Sequence, residues 1–198
     1  MKNNIMKWLL LILSNLFIVF STRAQSLQAA LDKKDTITAL QIIKKGYNFD
    51  SLNNFGSSIL MDNCRYAYEP FSADFLLRHG AKADFPRSAK GRTALIIASA
   101  YYGGVALCQV LLDHGANVNA VTVNGETALM LAASNEKSDL VSYLLQRGAD
   151  PKLMDKSGKA ALDYAKSANI DDDLKKAMKC CEPDKEKTIA ILTKAVNK

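Results

Sequence analysis

Glycine recurs along this chain in two interlocked series, and that regularity leaves few folds open. Gly56, Gly91, Gly125 and Gly158 lie 35, 34 and 33 residues apart, and Gly46, Gly80, Gly115 and Gly148 lie 34, 35 and 33 apart. Each member of the second series precedes one of the first by 10 or 11 residues. A fixed period of this length marks a repeat architecture, in which each supersecondary unit buries its apolar face on its neighbours. The flanking segments agree. Gly91-Arg92-Thr93-Ala94-Leu95 aligns with Gly125-Glu126-Thr127-Ala128-Leu129 and with Gly158-Lys159-Ala160-Ala161-Leu162. Leu111-Leu112-Asp113-His114-Gly115-Ala116 aligns with the stretches ending at Ala81 and Ala149.

The unit predicted from these residues is a pair of short helices. Ala94, Leu95, Ile97 and Ala98 give one helix an apolar stripe at helical spacing, and Leu107, Val110 and Leu111 give the next helix another. Helices this short cannot cover both stripes alone, so the units must stack. Gly115 and Gly148 fall just past a helix, where a left-handed cap residue is needed. Gly125 and Gly158 close a tight turn between units.

At this point the residues resemble the ankyrin repeat, a 33-residue unit with a Gly-x-Thr-Pro-Leu-His start, a Leu-Ala-Ala first helix, a Leu-Leu second helix and a Gly-Ala-Asp loop. The resemblance runs over about residues 26 to 181 and is closest from Gly91 to Asp150. It implies an all-α ankyrin-repeat solenoid of about five repeats, with short β-hairpin-like turns. Ala94, Ala128 and Ala161 stand at the family's proline, and Ile96, Met130 and Asp163 at its histidine. Asp62 and Asn63 fall where the family has leucine and alanine, so the helix carrying them is expected to pack less well or to be shifted.

The ends are expected to differ. Residues 1–24 have the three-part layout of a secretory signal: Lys2 and Lys7, an apolar run from Trp8 to Phe20, then Thr22-Arg23-Ala24. The run is too short for a membrane span. Residues 25–182 are assigned to the repeats and 183–198 to a C-terminal capping helix started by Pro183, with Ile189, Leu192 and Val196 as its stripe. At the N-terminal end, Leu40, Ile42 and Ile43 are expected to face the core and Lys33, Lys34, Lys44 and Lys45 to stay wet. Asp171-Asp172-Asp173 reads as the acidic start of a helix. The chain carries a formal charge of +6, and without Lys2, Lys7 and Arg23 it holds 23 basic against 20 acidic residues. So small a balance, spread along the chain, argues against nucleic acid as the partner.

Chemistry is sparse. No nucleophile–base pattern, phosphate loop, dinucleotide fingerprint or metal spacing occurs, so no enzyme activity, cofactor or metal is expected. His79 and His114 share one repeat position and read as structural. Cys64 and Cys108 read as small buried apolar residues. Adjacent Cys180 and Cys181 suit neither a metal nor an ordinary bridge.

The resemblance implies a protein partner, held by the turn tips and the concave face of the inner helices. Counting from the turn glycines puts Leu52, Phe55, Arg87, Arg92, Val121, Val123, Glu126 and Met154 at the tips. Arg65, Tyr66, Tyr101 and Tyr102 fall at or near the inner ends. Apolar tips and clustered Tyr and Arg are the residue types of interaction hot spots. The expected function is a monomeric, periplasmic or secreted binding scaffold. The alternatives are an immunity-type neutraliser of a toxic enzyme, and a cysteine-based redox or small-molecule binding protein.

Overall fold

A computed structural model of the protein describes residues 26–53, 56–66, 70–85, 88, 90–101, 103–168 and 184–197. The signal-like segment, Asp171-Asp172-Asp173, Cys180, Cys181 and Pro183 lie outside these residues. The chain divides into two compact units, residues 1–48 and 49–198.

In the first unit α1 spans 26–32 and α2 spans Thr36–Lys44. Asp35 caps α2 by accepting from the Thr38 amide at 3.0 Å. Leu27, Ala30, Leu31 and Ala39 are the buried residues. Leu40, Ile42 and Ile43 are only half-buried, whereas the four lysines are exposed as expected. The small Ala39 sits where α2 is fully covered, so the longer side chains beside it reach only the margin of that contact.

The second unit carries the repeats. Its inner helices are α3 (Ile59–Tyr66), α5 (Ala94–Ala100), α7 (Ala128–Ser134) and α9 (Ala161–Ser167). Its outer helices are α4 (Phe71–Arg78), α6 (Val105–Asp113) and α8 (Ser138–Gln146), followed by α10 (Lys185–Val196). Each inner helix packs on the next inner helix, each outer on the next outer, and the two of a repeat pack together. This is an all-α repeat solenoid. Among the described residues β-type pairing is confined to isolated bridges, such as Val121 with Thr127 and Met154 with Ala160.

Local chemistry fixes the register. Every inner helix starts three residues after its turn glycine. The side chains of Ser58, Thr93 and Thr127 accept from the amides of Met61, Ile96 and Met130, which satisfies first-turn donors. Ala160 has no oxygen to offer, and there Asp163 reaches back to the Ala160 amide at 3.0 Å. Outer helices end alike. Gly80, Gly115 and Gly148 take positive φ, and the amides of Ala81, Ala116 and Ala149 return to the carbonyls of Leu76, Leu111 and Leu144.

Two expectations change. Helix α3 is neither shifted nor poorly covered, and it packs on α5 like its counterparts. Asn63 is buried, but its amide donates to the Ile59 carbonyl at 2.8 Å, while Asp62 accepts from the Asn53 side chain at 2.7 Å. Those local bonds remove the desolvation cost that made the pair look unfavourable. In α10 the fully buried positions are Thr188 and Leu192, with Ile189 and Val196 half-buried. The helix is rotated toward α8 and α9, with Lys185 Nζ on the Ala168 carbonyl and Lys187 Nζ on Asp139.

Candidate functional site

The turn tips are four copies of one device. In each, the residue three before the glycine donates its amide to the carbonyl one after the glycine: Asn53 to Ser57, Ser88 to Arg92, Thr122 to Glu126 and Asp155 to Lys159. Its side-chain oxygen takes the returning amide at 3.1, 3.1, 3.1 and 2.9 Å. Asn, Ser and Thr therefore do here what aspartate does at Asp155. Neighbouring tips are also joined, by Val123 N–H to the Lys90 carbonyl and Lys156 N–H to the Asn124 carbonyl. The second, third and fourth tips, tied backbone to backbone, are stiff, so side chains on them are held in place.

Those side chains are apolar and wet. Leu52, Val121, Val123 and Met154 are exposed, Met154 by 65%. Phe85 joins them, with Lys82 Nζ 5.7 Å from its ring centre. The sequence reading missed Phe85 because it lies outside the register counted from the glycines. Arg92 is half-buried, and its Nε has no hydrogen-bond partner. The Glu126 carboxylate accepts from the Thr122 hydroxyl at 3.1 Å.

At the far ends of the inner helices the structure brings together residues that sequence spacing could only place in separate repeats. The Arg65 guanidinium, from the end of α3, lies 4.9 Å from the centre of the Tyr101 ring, which follows α5. It lies 6.0 Å from Tyr66, which is 70% exposed. Arg65 Nε is buried without a hydrogen-bond partner. Cation and ring fix each other, leaving the terminal nitrogens of a planar fork for a guest. Of the other sequence-predicted residues, Phe55, Arg87 and Tyr102 lie outside the described residues.

A support unseen in the sequence lies beneath Tyr101. Lys137 is 1% exposed, and its Nζ donates to the carbonyls of Ser99 at 3.0 Å, Gly103 at 3.4 Å and Tyr101. An ammonium thus closes the C-terminal end of α5, where unpaired carbonyls and the helix dipole favour positive charge. Asn135 adds a bond to the Ala100 carbonyl at 3.2 Å.

The remaining reactive groups are engaged structurally. His79 Nδ1 meets the Phe75 carbonyl at 2.7 Å, and His114 Nε2 meets Asp74 at 3.1 Å. Burial raises the Asp74 carboxyl, but bonds from His114 and Arg78 outweigh it and hold it below the usual range. Cys64 and Cys108 form no disulfide and are fully buried, and burial, then the nearby Cys108 thiol, push the Cys64 thiol far up. Such a thiol is a poor nucleophile. An outer cleft of about 540 Å³ lies between α4 and α6, but its charged side chains are already paired, Asp74 with Arg78 and His114, and Asp113 with Arg147 beyond the cleft. Among the described residues no group of three His, Cys, Asp or Glu side chains could hold a metal ion.

Asp155 makes the last tip pH-sensitive. The Lys159 amide, then the Tyr164 hydroxyl at 2.7 Å and Ser157, hold its carboxyl far below the usual range. A carboxyl depressed in the folded state adds stability above its unfolded pKa and loses it as pH falls through the folded one. The melting temperature of wild type should therefore exceed that of Asp155→Asn at pH 7. The gap should close as pH is lowered below about 4, where the unfolded carboxyl begins to protonate. A gap unchanged down to pH 2.5 would contradict this assignment.

The arrangement defines a class: a helical repeat protein with exposed apolar turn tips, and with no group of His, Cys, Asp or Glu that could hold a metal ion among the described residues. A family profile for ankyrin repeats (3 copies) matches residues 27–122 and 100–188, and the chain belongs to the ankyrin-repeat family. That family's repeats form protein–protein interaction domains and are generally not enzymes. The chain is similar to a putative ankyrin repeat-containing protein of Treponema pallidum, 34% identical over 58% of this chain and 38% of that protein. It is similar to the E3 ubiquitin-protein ligase hecd-1 of Caenorhabditis elegans, 43% identical over 36% of this chain and 3% of the ligase. It is also similar to an L-asparaginase of Dirofilaria immitis, 40% identical over 37% of this chain and 12% of that enzyme. The chain spans well under half the length of each.

Proposed function

We propose that this chain is a non-enzymatic binding scaffold of the bacterial periplasm, gripping one protein partner along its inner helix ends and turn tips. The observation that carries the reading is the Arg65–Tyr101 stack between repeats, flanked by exposed Tyr66 and continued by the apolar tips. Aromatic and arginine side chains of this kind dominate interface energies. The envelope location rests on the charged, apolar and small-residue order from Lys2 to Ala24.

Site-specific photocrosslinking in the native cell tests both halves. A photoreactive residue at Tyr66 should trap a protein partner in the periplasmic fraction, and one at exposed Gln109 on outer helix α6 should not. Adding Tyr101→Ala should cut the Tyr66 adduct at least about tenfold, the loss expected of a hot-spot side chain. Equal trapping at Gln109, or an adduct found only in the cytoplasm, would overturn the proposal.

A further inference from the structure

Lysines on this surface make no ion pair while most of its acids are held in local hydrogen bonds, and that asymmetry bears on what can dock. On the tips, Lys90, Lys156 and Lys159 are exposed, and none makes an ion pair. The described salt bridges among residues 49–198 all involve outer-helix or α10 side chains or those just following an outer helix: Asp74, Arg78, Asp113, His114, Asp139, Arg147 and Lys187. Most acids on the tip side are drawn into local hydrogen bonds, although the Asp84 Oδ1 beside Phe85 is left without one. Asp155 accepts from two amides and two hydroxyls, Asp62 from Asn53, Glu126 from Thr122 and Asp163 from the Ala160 amide. Arg65 and Arg92 each bury an Nε with no partner, and the Arg65 fork is oriented by its stack on Tyr101. Met154 stands exposed two residues before Lys156, and exposed Val123 is tied through its amide to the Lys90 carbonyl.

We propose that the partner presents an extended acidic segment in which carboxylates alternate with apolar or aromatic side chains. One carboxylate pairs with the Arg65 fork, a planar donor that suits a planar acceptor. Others lie along Lys90, Lys156 and Lys159, and the apolar side chains sit on Val123 and Met154. The inference rests on the binding reading above and adds the partner's chemistry. Charge complementarity distinguishes partners chiefly by penalising the wrong sign, because a basic segment would set like charges against Arg65, Lys90, Lys156 and Lys159.

The test uses the purified full chain and two labelled pools of 12-residue peptides, one alternating Asp/Glu with Leu/Phe/Tyr and the other with Lys in place of the acids. Fluorescence anisotropy at 50 mM NaCl should show the acidic pool binding at least tenfold more tightly than the basic pool. Raising NaCl to 300 mM should weaken it severalfold. Arg65→Gln, and separately Lys156→Gln with Lys159→Gln, should each reduce binding at least threefold with an unchanged circular dichroism spectrum. A 20-nucleotide single strand and poly-glutamate serve as controls for charge alone and should bind at least tenfold more weakly. Equal binding of the two pools, preference for the basic pool, no binding of either, or a control binding as tightly as the acidic pool would each overturn the proposal. The crosslink at Tyr66 reports separately on whether a protein docks there at all. A trapped partner whose crosslinked peptide is basic sinks this inference and leaves the scaffold reading standing.

Discussion

Lys137→Met should destabilise the protein by about 3–5 kcal/mol, the scale expected when one member of a buried charged hydrogen-bonded group is removed. Methionine fills much of the same space, so packing loss is small and the effect isolates the ammonium. What remains is a buried cluster of carbonyls from Ser99, Tyr101 and Gly103 with a donor removed. Lys137→Arg should not rescue fully, because a planar fork cannot serve carbonyls grouped around a single point. Urea unfolding measures the loss, and a change below about 1 kcal/mol, typical of a solvent-exposed lysine, would refute the arrangement. The substitution also reaches the site. Tyr101 leaves α5 in a non-helical conformation, φ −110° and ψ −137°, and Lys137 holds its carbonyl. Releasing it should loosen the ring that orients Arg65, so the Tyr66 crosslink should fall in Lys137→Met even where the protein remains folded.

The repeat was legible in the sequence because its signals are local. A glycine at positive φ, a hydroxyl residue two positions later and an apolar stripe at helical spacing each have one physical meaning, and they recur in step. The same locality explains why α3 was misjudged. Asp62 and Asn63 look costly one at a time, yet Asn53 and the Ile59 carbonyl satisfy them. Lys137 was illegible for a different reason. A lysine between Glu136 and Ser138 reads as a solvated charge, and nothing in its own repeat reveals that the carbonyls it serves lie 34 to 38 residues upstream.

The candidate site divides along the same line. Leu52, Val121, Val123 and Met154 were found by counting from glycines, because tip geometry repeats. The 4.9 Å stack of Arg65 on Tyr101 joins residues 36 apart, and sequence could name both without pairing them. Phe85 lies six residues before Gly91, ahead of the positions counted from the glycines, and only the folded turn shows it exposed.

Gly115→Ala and Gly125→Ala form a matched pair that tests whether the tips are physically joined. The two glycines have almost the same backbone, φ +84° and +83°, so a side chain meets the same left-handed strain in both. Around Gly115 a Cβ would meet nothing within 4 Å, and that strain alone should cost about 1–2 kcal/mol. At Gly125 a Cβ would lie 3.0 Å from the Asp155 Cα and 3.2 Å from the Lys156 amide nitrogen, both backbone atoms that cannot swing aside. The next tip must move away, which breaks the bond from the Lys156 amide to the Asn124 carbonyl. Strain, overlap and a lost bond together should bring Gly125→Ala to about 3–4 kcal/mol, in the range reserved for substitutions with a named structural cause. Binding should separate the pair further. Displacing the last tip carries Met154, Lys156 and Lys159 out of line with Val123, so Gly125→Ala should lose affinity for the acidic peptide pool while Gly115→Ala keeps it. Equal stability losses would mean that adjacent tips do not touch. Unequal losses with equal affinity would place the docking surface on the helix ends alone.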